Sequence, residues 1–158
     1  AVPASVQDGG PRIMMGGGSP RILRTAGAMA DIVSINFDNS DGKIGAHGIR
    51  SGTAAGTTNK VNWIREGAGD RFGQLEFEIG AYFTAVTDAT QQTLEVMSGA
   101  LGVPPEELAH HPHALIGSAD EICETLIQRR EEYGINYVTV GAANMEAFAP
   151  VVAKLAGT

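Results

Sequence analysis

At residues 11–21 the chain reads Pro11-Arg12-Ile13-Met14-Met15-Gly16-Gly17-Gly18-Ser19-Pro20-Arg21. The short apolar run Ile13–Met15 has the length of a buried strand, and it stops at the glycines. Apolar residues then recur with helical spacing as far as Met29, so a helix is expected from about Pro20. Ser19 is a suitable N-cap, and proline suits the first helical turn. The segment therefore predicts a strand, a glycine loop and a helix.

A loop of this kind predicts an anion site. Glycine has no Cβ, so the main chain can approach a phosphate closely and adopt positive φ angles. The helix N-terminus directs free N–H groups and the positive end of the helix dipole toward the same point. The candidate cofactor-binding residues are Gly16, Gly17, Gly18 and Ser19. Their spacing matches neither the Walker nor the Rossmann fingerprint, so local chemistry leaves a flexible strand-to-helix turn as the alternative.

The composition limits the classes of function. The chain has 158 residues, of which 43% are hydrophobic and 18% charged, enough for one domain over residues 1–158. A net charge of −7 argues against a nucleic-acid partner. No apolar run reaches the roughly 20 residues of a membrane span. Cys123 is the single cysteine, which excludes an internal disulfide and fits a reducing compartment, so we expect a cytoplasmic protein.

Three more strands are predicted along the chain, each followed by at least one helix. The predicted strands cover residues 31–37, 75–86 and 135–140, and the predicted helices cover residues 59–71, 88–101, 119–133 and the segment from about residue 145. The first ten residues are predicted to form a loop. The glycine-rich connection at about 38–58 is long for a compact domain and is predicted to be a mobile loop that shapes substrate access.

The helix over residues 119–133 carries the sharpest local signal. Ser118 and Glu121 have the spacing of a capping box. The helical pattern predicts that Ile127 faces inward, with Ile122, Cys123 and Leu126, and that Arg129 faces solvent with the neighbouring charged residues.

Alternating strands and helices predict a parallel sheet. Four strand–helix units are half of a (β/α)₈ barrel, whose usual length is about 250 residues. A doubly wound sheet of four strands is the alternative. Because the chain begins at Ala1 rather than Met, and its first residues have the composition of a connecting loop, we expect the C-terminal half of a barrel.

Two groups of titratable residues are candidates for a catalytic or metal site. Glu76 and Glu78 share one face of a strand, and paired carboxylates can divide acid and base roles. They lie at the beginning of their strand, whereas α/β sites lie at the C-terminal ends of strands, so a structural role is favoured. His110, His111 and His113 could suggest a metal, but no second Cys or His cluster supplies further ligands, and no metal site is predicted.

Several segments, taken in order, carry a family resemblance. They are residues 11–21 with Ala30-Asp31-Ile32-Val33, Trp63-Ile64-Arg65-Glu66 through Leu75-Glu76, Leu115-Ile116-Gly117-Ser118, residues 133–140, and Met145-Glu146-Ala147-Phe148-Ala149-Pro150. On these segments the chain resembles the C-terminal half of the luciferase-like monooxygenase superfamily, in particular its coenzyme F-420-dependent oxidoreductases.

The resemblance implies a (β/α)₈ barrel, often dimeric, that binds a flavin or deazaflavin at its C-terminal face and transfers hydride to or from a small organic substrate. It implies that Gly16, Gly17 and Gly18 hold the cofactor phosphate. Arg24 is a candidate for the acidic tail of a deazaflavin, with a solvated helix arginine as the alternative. The family's first four strands, which supply residues that act on substrate, are absent, so no catalytic residue is assigned and the 158-residue chain alone is expected to be inactive.

Two alternatives stay open. One is an FMN-dependent luciferase-like monooxygenase, because FMN and coenzyme F-420 present a phosphate to the same kind of loop. The other is a non-catalytic half-barrel that forms a homodimer and retains a phosphate-bearing ligand. Open sheet edges invite pairing with another chain, and exposed apolar surface favours association.

Overall fold

The computed structural model describes residues 5–42 and 45–157. The strands are β1 (Met14–Gly17), β2 (Ile32–Ile35), β3 (Glu76–Ala81), β4 (Phe83–Val86), β5 (Ala114–Gly117) and β6 (Ile135–Val140). The helices are α1 (Pro20–Met29), α2 (Ala46–Ser51), α3 (Ala54–Ala68), α4 (Thr90–Leu101), α5 (Pro105–Ala109), α6 (Ala119–Tyr133) and α7 (Met145–Leu155). Short 3-10 turns cover Gly69–Gln74 and Ala142–Asn144.

All strand pairs of the described residues are parallel. Four strands form a sheet in the order β1-β2-β3-β6, and β4 pairs with β5 in a second sheet. Only Tyr82 separates β3 from β4, so one extended segment joins the two sheets. The predicted α/β class with parallel strands is therefore confirmed.

Helices cover one face of the four-stranded sheet. Alternate residues of the strands, among them Val33, Ile35, Phe77 and Ile79, pack with Leu23 of α1 and Ile64 of α3 in one buried core. Burying such a side chain stabilises the fold by about 1.5–3 kcal/mol. A second buried cluster joins α6 and α7 through Leu115, Ile122, Phe148 and Val151. The opposite face of the four-stranded sheet, which we call the inner face, carries more polar residues.

Two glycines allow α1 and α3 to approach closely. A Cβ on Gly27 would lie 2.3 Å from the Ile64 carbonyl oxygen, and one on Gly67 would lie 2.0 Å from the Arg24 carbonyl oxygen. Both distances are far below van der Waals contact, so neither position has room for a larger residue. The contact fixes α1, and with it the glycine loop, against the rest of the domain.

Within residues 5–42 and 45–157, the two outer strands of the four-stranded sheet each have a strand neighbour on one side only. The predicted first strand is found one residue later, at Met14–Gly17, and it is not buried: Ile13 is 54% and Met14 45% exposed. An apolar run in a parallel sheet is expected to be buried on both faces. Met14 lies on the inner face and Ile13 precedes β1, so the expected burial is found at neither residue.

Several sequence-based boundaries are wrong. The predicted loop at 38–58 contains α2 and the start of α3, and its residues 43 and 44, like residues 1–4 of the predicted N-terminal loop, lie outside the described residues. The described residues form six strands, whereas four were predicted. The two differences are β5, which was not predicted, and the predicted strand 75–86, which is divided at Tyr82. Within α6 the predicted faces are wrong at two positions, since Ile127 is 37% exposed and Arg129 only 5% exposed.

The helix contact gives the first prediction. Gly67→Ala should lower the free energy of unfolding by about 1–3 kcal/mol, because the added methyl group overpacks the contact with α1. Gly99→Ala is the matched control, since Gly99 lies in α4 and a Cβ there meets nothing within 4 Å. It should raise stability by about 0.5–1 kcal/mol. Urea denaturation measures both, and a stabilised Gly67→Ala variant would contradict the packing described.

Candidate functional site

The glycine loop lies at the C-terminal end of β1, where α1 begins. Ser19 is at the N-cap position with extended backbone angles, as predicted, but its side chain makes no capping hydrogen bond, and Pro20 occupies the first turn. The N–H groups of Arg21 and Ile22 have no acceptor within the helix by geometry. By contrast, Thr53 and Ser118 cap α3 and α6 with their side chains. The first turn of α1 is therefore open to an outside acceptor.

The charges around this helix end fit an anion. The first turn of α1 contains no acidic residue, and Arg21 is exposed there. Arg24, a candidate for binding an acidic tail, instead forms an ion pair with Glu66 of α3, with its Nε donating to a carboxylate oxygen 2.7 Å away. The uncapped N–H groups and the helix dipole suit a phosphate group.

The three loop glycines have contacts within the chain. None of them has a positive φ, so the expectation of positive φ angles in this loop is wrong. A Cβ would collide with the chain at each position: on Gly16 it would lie 2.7 Å from Asn36 Nδ2, on Gly17 2.4 Å from Ile22 Cγ2, and on Gly18 2.2 Å from the Phe37 carbonyl oxygen. The main chain therefore approaches the residues that follow β2 at Gly16 and Gly18, and α1 at Gly17. Contact of Gly16, Gly17, Gly18 and Ser19 with a ligand stays a prediction.

Phe37 is the centre of an aromatic cluster just beyond β2. Its ring centroid lies 5.1 Å from that of Tyr82 and 4.4 Å from that of His113. Tyr82 and His113 are stacked at 5.2 Å with an interplanar angle of 10°. The cluster joins the end of β2 to the turn between β3 and β4 and to the residues before β5.

The histidines do not converge on one point. His111 and His113 are fully buried, whereas His110 is exposed. His113 Nδ1 donates to the Gly80 carbonyl oxygen at 2.8 Å, and its Nε2 has no partner. His111 Nδ1 accepts the His113 N–H, so its Nε2 donates to the Ile49 carbonyl oxygen at 3.0 Å. Within residues 5–42 and 45–157, no group of three or more His, Cys, Asp and Glu residues could hold a metal ion.

Burial sets the protonation of both imidazoles. Burial in the aromatic cluster lowers the pKa of His113 to about 3, and burial also lowers the pKa of His111. Each ring is therefore neutral near pH 7, with the one ring N–H that its carbonyl partner requires. The two histidines bridge three parts of the fold.

Arg129 holds the segment from His111 to Ala114 in place, a role that was not predicted from the sequence. Its guanidinium is buried and donates to the carbonyl oxygens of His111, Pro112 and Ala114 at 3.1, 2.9 and 2.8 Å. Burial lowers the pKa of Arg129 to about 10. An arginine can bind three converging carbonyls because its planar fork carries five donors. The position of Arg129 among charged residues of α6 predicted a side chain exposed to solvent and gave no sign of this role.

Lys60 of α3 is also buried and reaches the end of β2. Its Nζ donates to the Asn36 carbonyl oxygen at 2.7 Å. Burial lowers the pKa of Lys60 to about 8, although the nearby Asp38 acts in the opposite direction. The unfolded chain therefore binds this proton more tightly, and this group favours folding more as the pH rises from about 8 to 10.5.

The inner face carries a continuous chain of hydrogen bonds, which we call the polar track. Tyr82 Oη donates to Asn36 Oδ1 at 2.8 Å, and Asn36 Nδ2 donates to Ser34 Oγ at 3.1 Å. Ser34 in turn donates to Glu78 Oε2. The track runs from the C-terminal edge of the sheet down to its middle. Glu76 is not part of it, because it forms an ion pair with Arg12 at 2.5 Å.

Two cavities lie away from the glycine loop. One of about 430 Å³ lies beside the outer strand β6 and is lined by residues of α6, β6 and α7, including Ile135, Val138 and Val152. Another of about 350 Å³ lies between the start of α3 and α5, and Thr53, Glu107 and His110 line it. Both open to solvent.

Solved structures with a similar fold exist. A coenzyme F-420-dependent tetrahydromethanopterin reductase from Methanopyrus kandleri matches with a TM-score of 0.58 and 16% identity, over 89% of this chain and 48% of that one. A long-chain alkane monooxygenase matches with a TM-score of 0.58 and 14% identity, over 92% of this chain and 41% of that one. The oxygenating constituent of 3,6-diketocamphane monooxygenase from Pseudomonas putida, solved with FMN, matches with a TM-score of 0.51 and 16% identity, over 92% and 48%.

These matches confirm the predicted resemblance to the luciferase-like superfamily at the level of the fold. The chain spans less than half the length of each of these three structures. No protein-family model matches the sequence, and no curated protein matches it. The described residues contain no helix long and apolar enough to cross a membrane.

The buried imidazole gives a pH prediction. In the unfolded chain His113 titrates near 6.5 but in the fold near 3, so the stability that depends on its neutral form is present above pH 6.5 and is lost as the pH falls toward 3. Between pH 7 and pH 5 the loss should be about 2 kcal/mol. His113→Asn keeps a donor for the Gly80 carbonyl and does not titrate. Between pH 7 and pH 5, the free energy of unfolding of this variant should therefore fall by about 2 kcal/mol less than that of the unmodified chain.

His110→Asn is the control, because His110 is exposed. Its loss of stability between pH 7 and pH 5 should equal that of the unmodified chain in urea denaturation. An equal loss in the His113→Asn variant would show that His113 is not the buried titrating group.

Proposed function

We propose that this chain forms the C-terminal half of a (β/α)₈ barrel of the luciferase-like monooxygenase superfamily, in a flavin- or deazaflavin-dependent oxidoreductase. The observation that carries the proposal is the uncapped N-terminus of α1 at the C-terminal end of a parallel strand. Ligands of open α/β sheets and barrels bind at this end of the strands. The fold similarity to an F-420-dependent reductase and to an FMN-bound monooxygenase supports it.

In this proposal the main chain at Gly16, Gly17 and Gly18 and the hydroxyl of Ser19 surround the cofactor phosphate, and the first turn of α1 donates N–H groups to it. The free hydroxyl suits this role because it is not used as a helix cap. The cofactor, when bound, supplies the hydride chemistry. The residues of this chain hold its charged end, and the inner face excludes water from one side of the substrate.

Coenzyme F-420 is the first choice of cofactor and FMN the second, because the segments named in the sequence resemble the F-420-dependent branch. The substrate is a small organic molecule. We place the catalytic residues in the N-terminal half of the barrel. The lone Cys123 thiol, buried and free, fits a cytoplasmic protein.

The open edges of the sheet support a barrel completed by further strands. In the part of the chain that the structure describes, β1 and β6 each lack a strand on one side. The 430 Å³ cavity beside β6 is lined by apolar residues such as Val152, which is 54% exposed. In the proposed barrel the N-terminal strands pair with both edges and cover this cavity.

A homodimer of half-barrels is the second candidate, favoured by the same two open edges. It would pair β1 of one copy with β6 of the other and retain the anion site without catalysis. Sedimentation of the protein in its natural length distinguishes the two: a half-length dimer supports this candidate, and a chain with four more strand–helix units contradicts it.

Ser19→Asp tests the anion site. An aspartate at the N-cap satisfies the free N–H groups and should stabilise α1 by about 0.5–1 kcal/mol. Its charge should also repel a phosphate, so the Kd of the natural-length protein for reduced F-420 or FMN should rise at least about tenfold, which corresponds to 1.4 kcal/mol. Isothermal titration measures both cofactors.

Ala89→Asp is the matched control, because Ala89 is the N-cap of α4 and also makes no capping hydrogen bond. It should stabilise its helix and leave cofactor affinity unchanged. Tight FMN binding without F-420 binding would make FMN the cofactor. Unchanged affinity for both cofactors in the Ser19→Asp variant would overturn the proposed phosphate site.

A further inference from the structure

Glu78 is a buried carboxylate that has no ion pair with any of the described residues. Its residue is 5% exposed and lies in the middle of β3. Within the described part of the chain, the Ser34 hydroxyl is its hydrogen-bond donor, and no lysine or arginine forms an ion pair with it. Burying an unpaired charge costs several kcal/mol in proteins. A residue kept at such a cost is a candidate for function.

The register of the sheet determines which residues lie beside Glu78. In the sheet register, Gly16, Ser34, Glu78 and Tyr137 form one row across the inner face. At the β1 end of the row, Asn36 and Ser34 fill the space beside Gly16, since a Cβ there would lie 2.7 Å from Asn36 Nδ2 and 3.2 Å from Ser34 Cβ. Tyr137, at the other end, is 40% exposed. The row therefore places the carboxylate between the Ser34 hydroxyl and the Tyr137 ring.

Tyr82 lies above this carboxylate. A Cβ on Gly80 would lie 2.9 Å from the Tyr82 ring, so the ring folds back over the strand, and its hydroxyl is held by Asn36. Burial and the nearby charge of Glu78 raise the pKa of Tyr82. The ring is 55% exposed and separates Glu78 from the C-terminal edge of the sheet.

We propose that Glu78 binds a cationic nitrogen group of the substrate, with the rings of Tyr82 and Tyr137 on either side. This names the substrate class and rests on the proposed function for the site as a whole. A planar amidinium, guanidinium or protonated amine supplies the charge that the carboxylate lacks and donates hydrogen bonds to its oxygens. Aromatic faces attract the same cations.

The alternative is a structural ion pair, in which another part of the protein supplies a lysine or arginine to Glu78. The two cases differ in stability. Removing one partner of a buried ion pair strongly destabilises a protein, whereas removing a buried charge that has no partner relieves a penalty. Catalytic and binding residues commonly show this second behaviour.

Glu78→Gln separates the two cases without any cofactor. Glutamine retains an acceptor for the Ser34 hydroxyl and removes the charge. In the natural-length protein its Tm should rise by at least about 2 °C. Glu76→Gln is the control, because Glu76 is paired with Arg12, and its Tm should stay the same or fall. A lower Tm for Glu78→Gln would overturn the proposal in favour of a structural pair.

Benzamidine and benzamide test the ligand class, since they share a shape and differ in charge. NMR titration should show saturable shifts of the Tyr82 and Tyr137 resonances with benzamidine, and at least tenfold weaker binding of benzamide. Glu78→Gln should abolish the preference, and Glu76→Gln should keep it. Equal binding of both probes would contradict the proposal. Cofactor binding by the same protein is measured separately. If the unmodified protein binds the cofactor but shows no preference for benzamidine, this inference alone is refuted.

Discussion

The packing around Phe37 is the contact on which the C-terminal edge of the sheet depends. Its carbonyl meets the backbone of Gly18, and its ring packs on Tyr82 and His113. The carbonyl oxygen of Asn36, the residue before Phe37, accepts a hydrogen bond from the buried ammonium of Lys60. The glycine loop, the turn after β3 and the histidine segment are therefore positioned by the same two residues at the end of β2.

The two faces of the four-stranded sheet have different tasks. The helix-covered face is apolar and includes the close contact of α1 and α3, which fixes the helix whose N-terminus is open. The inner face carries the polar track and Glu78, which has no ion-pair partner among the described residues. Stability comes from one face, while the other retains groups that a purely structural sheet would not keep. This division fits the binding role that we propose for the inner face.

Local signals in the sequence predicted local structure well. The helix over Pro20–Met29 and the capping box of Ser118 and Glu121 are found as predicted. β5 was missed because four apolar residues have no period that distinguishes a strand from a buried turn, and its partner exists only because Tyr82 interrupts the preceding strand. The burial of Arg129 and the polar track could not be predicted either. Both depend on carbonyls and side chains that are distant in sequence and meet only in the fold.

The first turn of α1 is the proposed binding site for the phosphate of a flavin-type cofactor. An ¹⁵N–¹H NMR titration of the natural-length protein with FMN and with coenzyme F-420 tests this site most directly, because it reports each backbone amide separately. We expect the largest shifts at Gly18, Ser19, Arg21 and Ile22, with inorganic phosphate competing for the same amides. Shifts confined to the cavity around Thr53 and Glu107, or no shift at the start of α1, would contradict it.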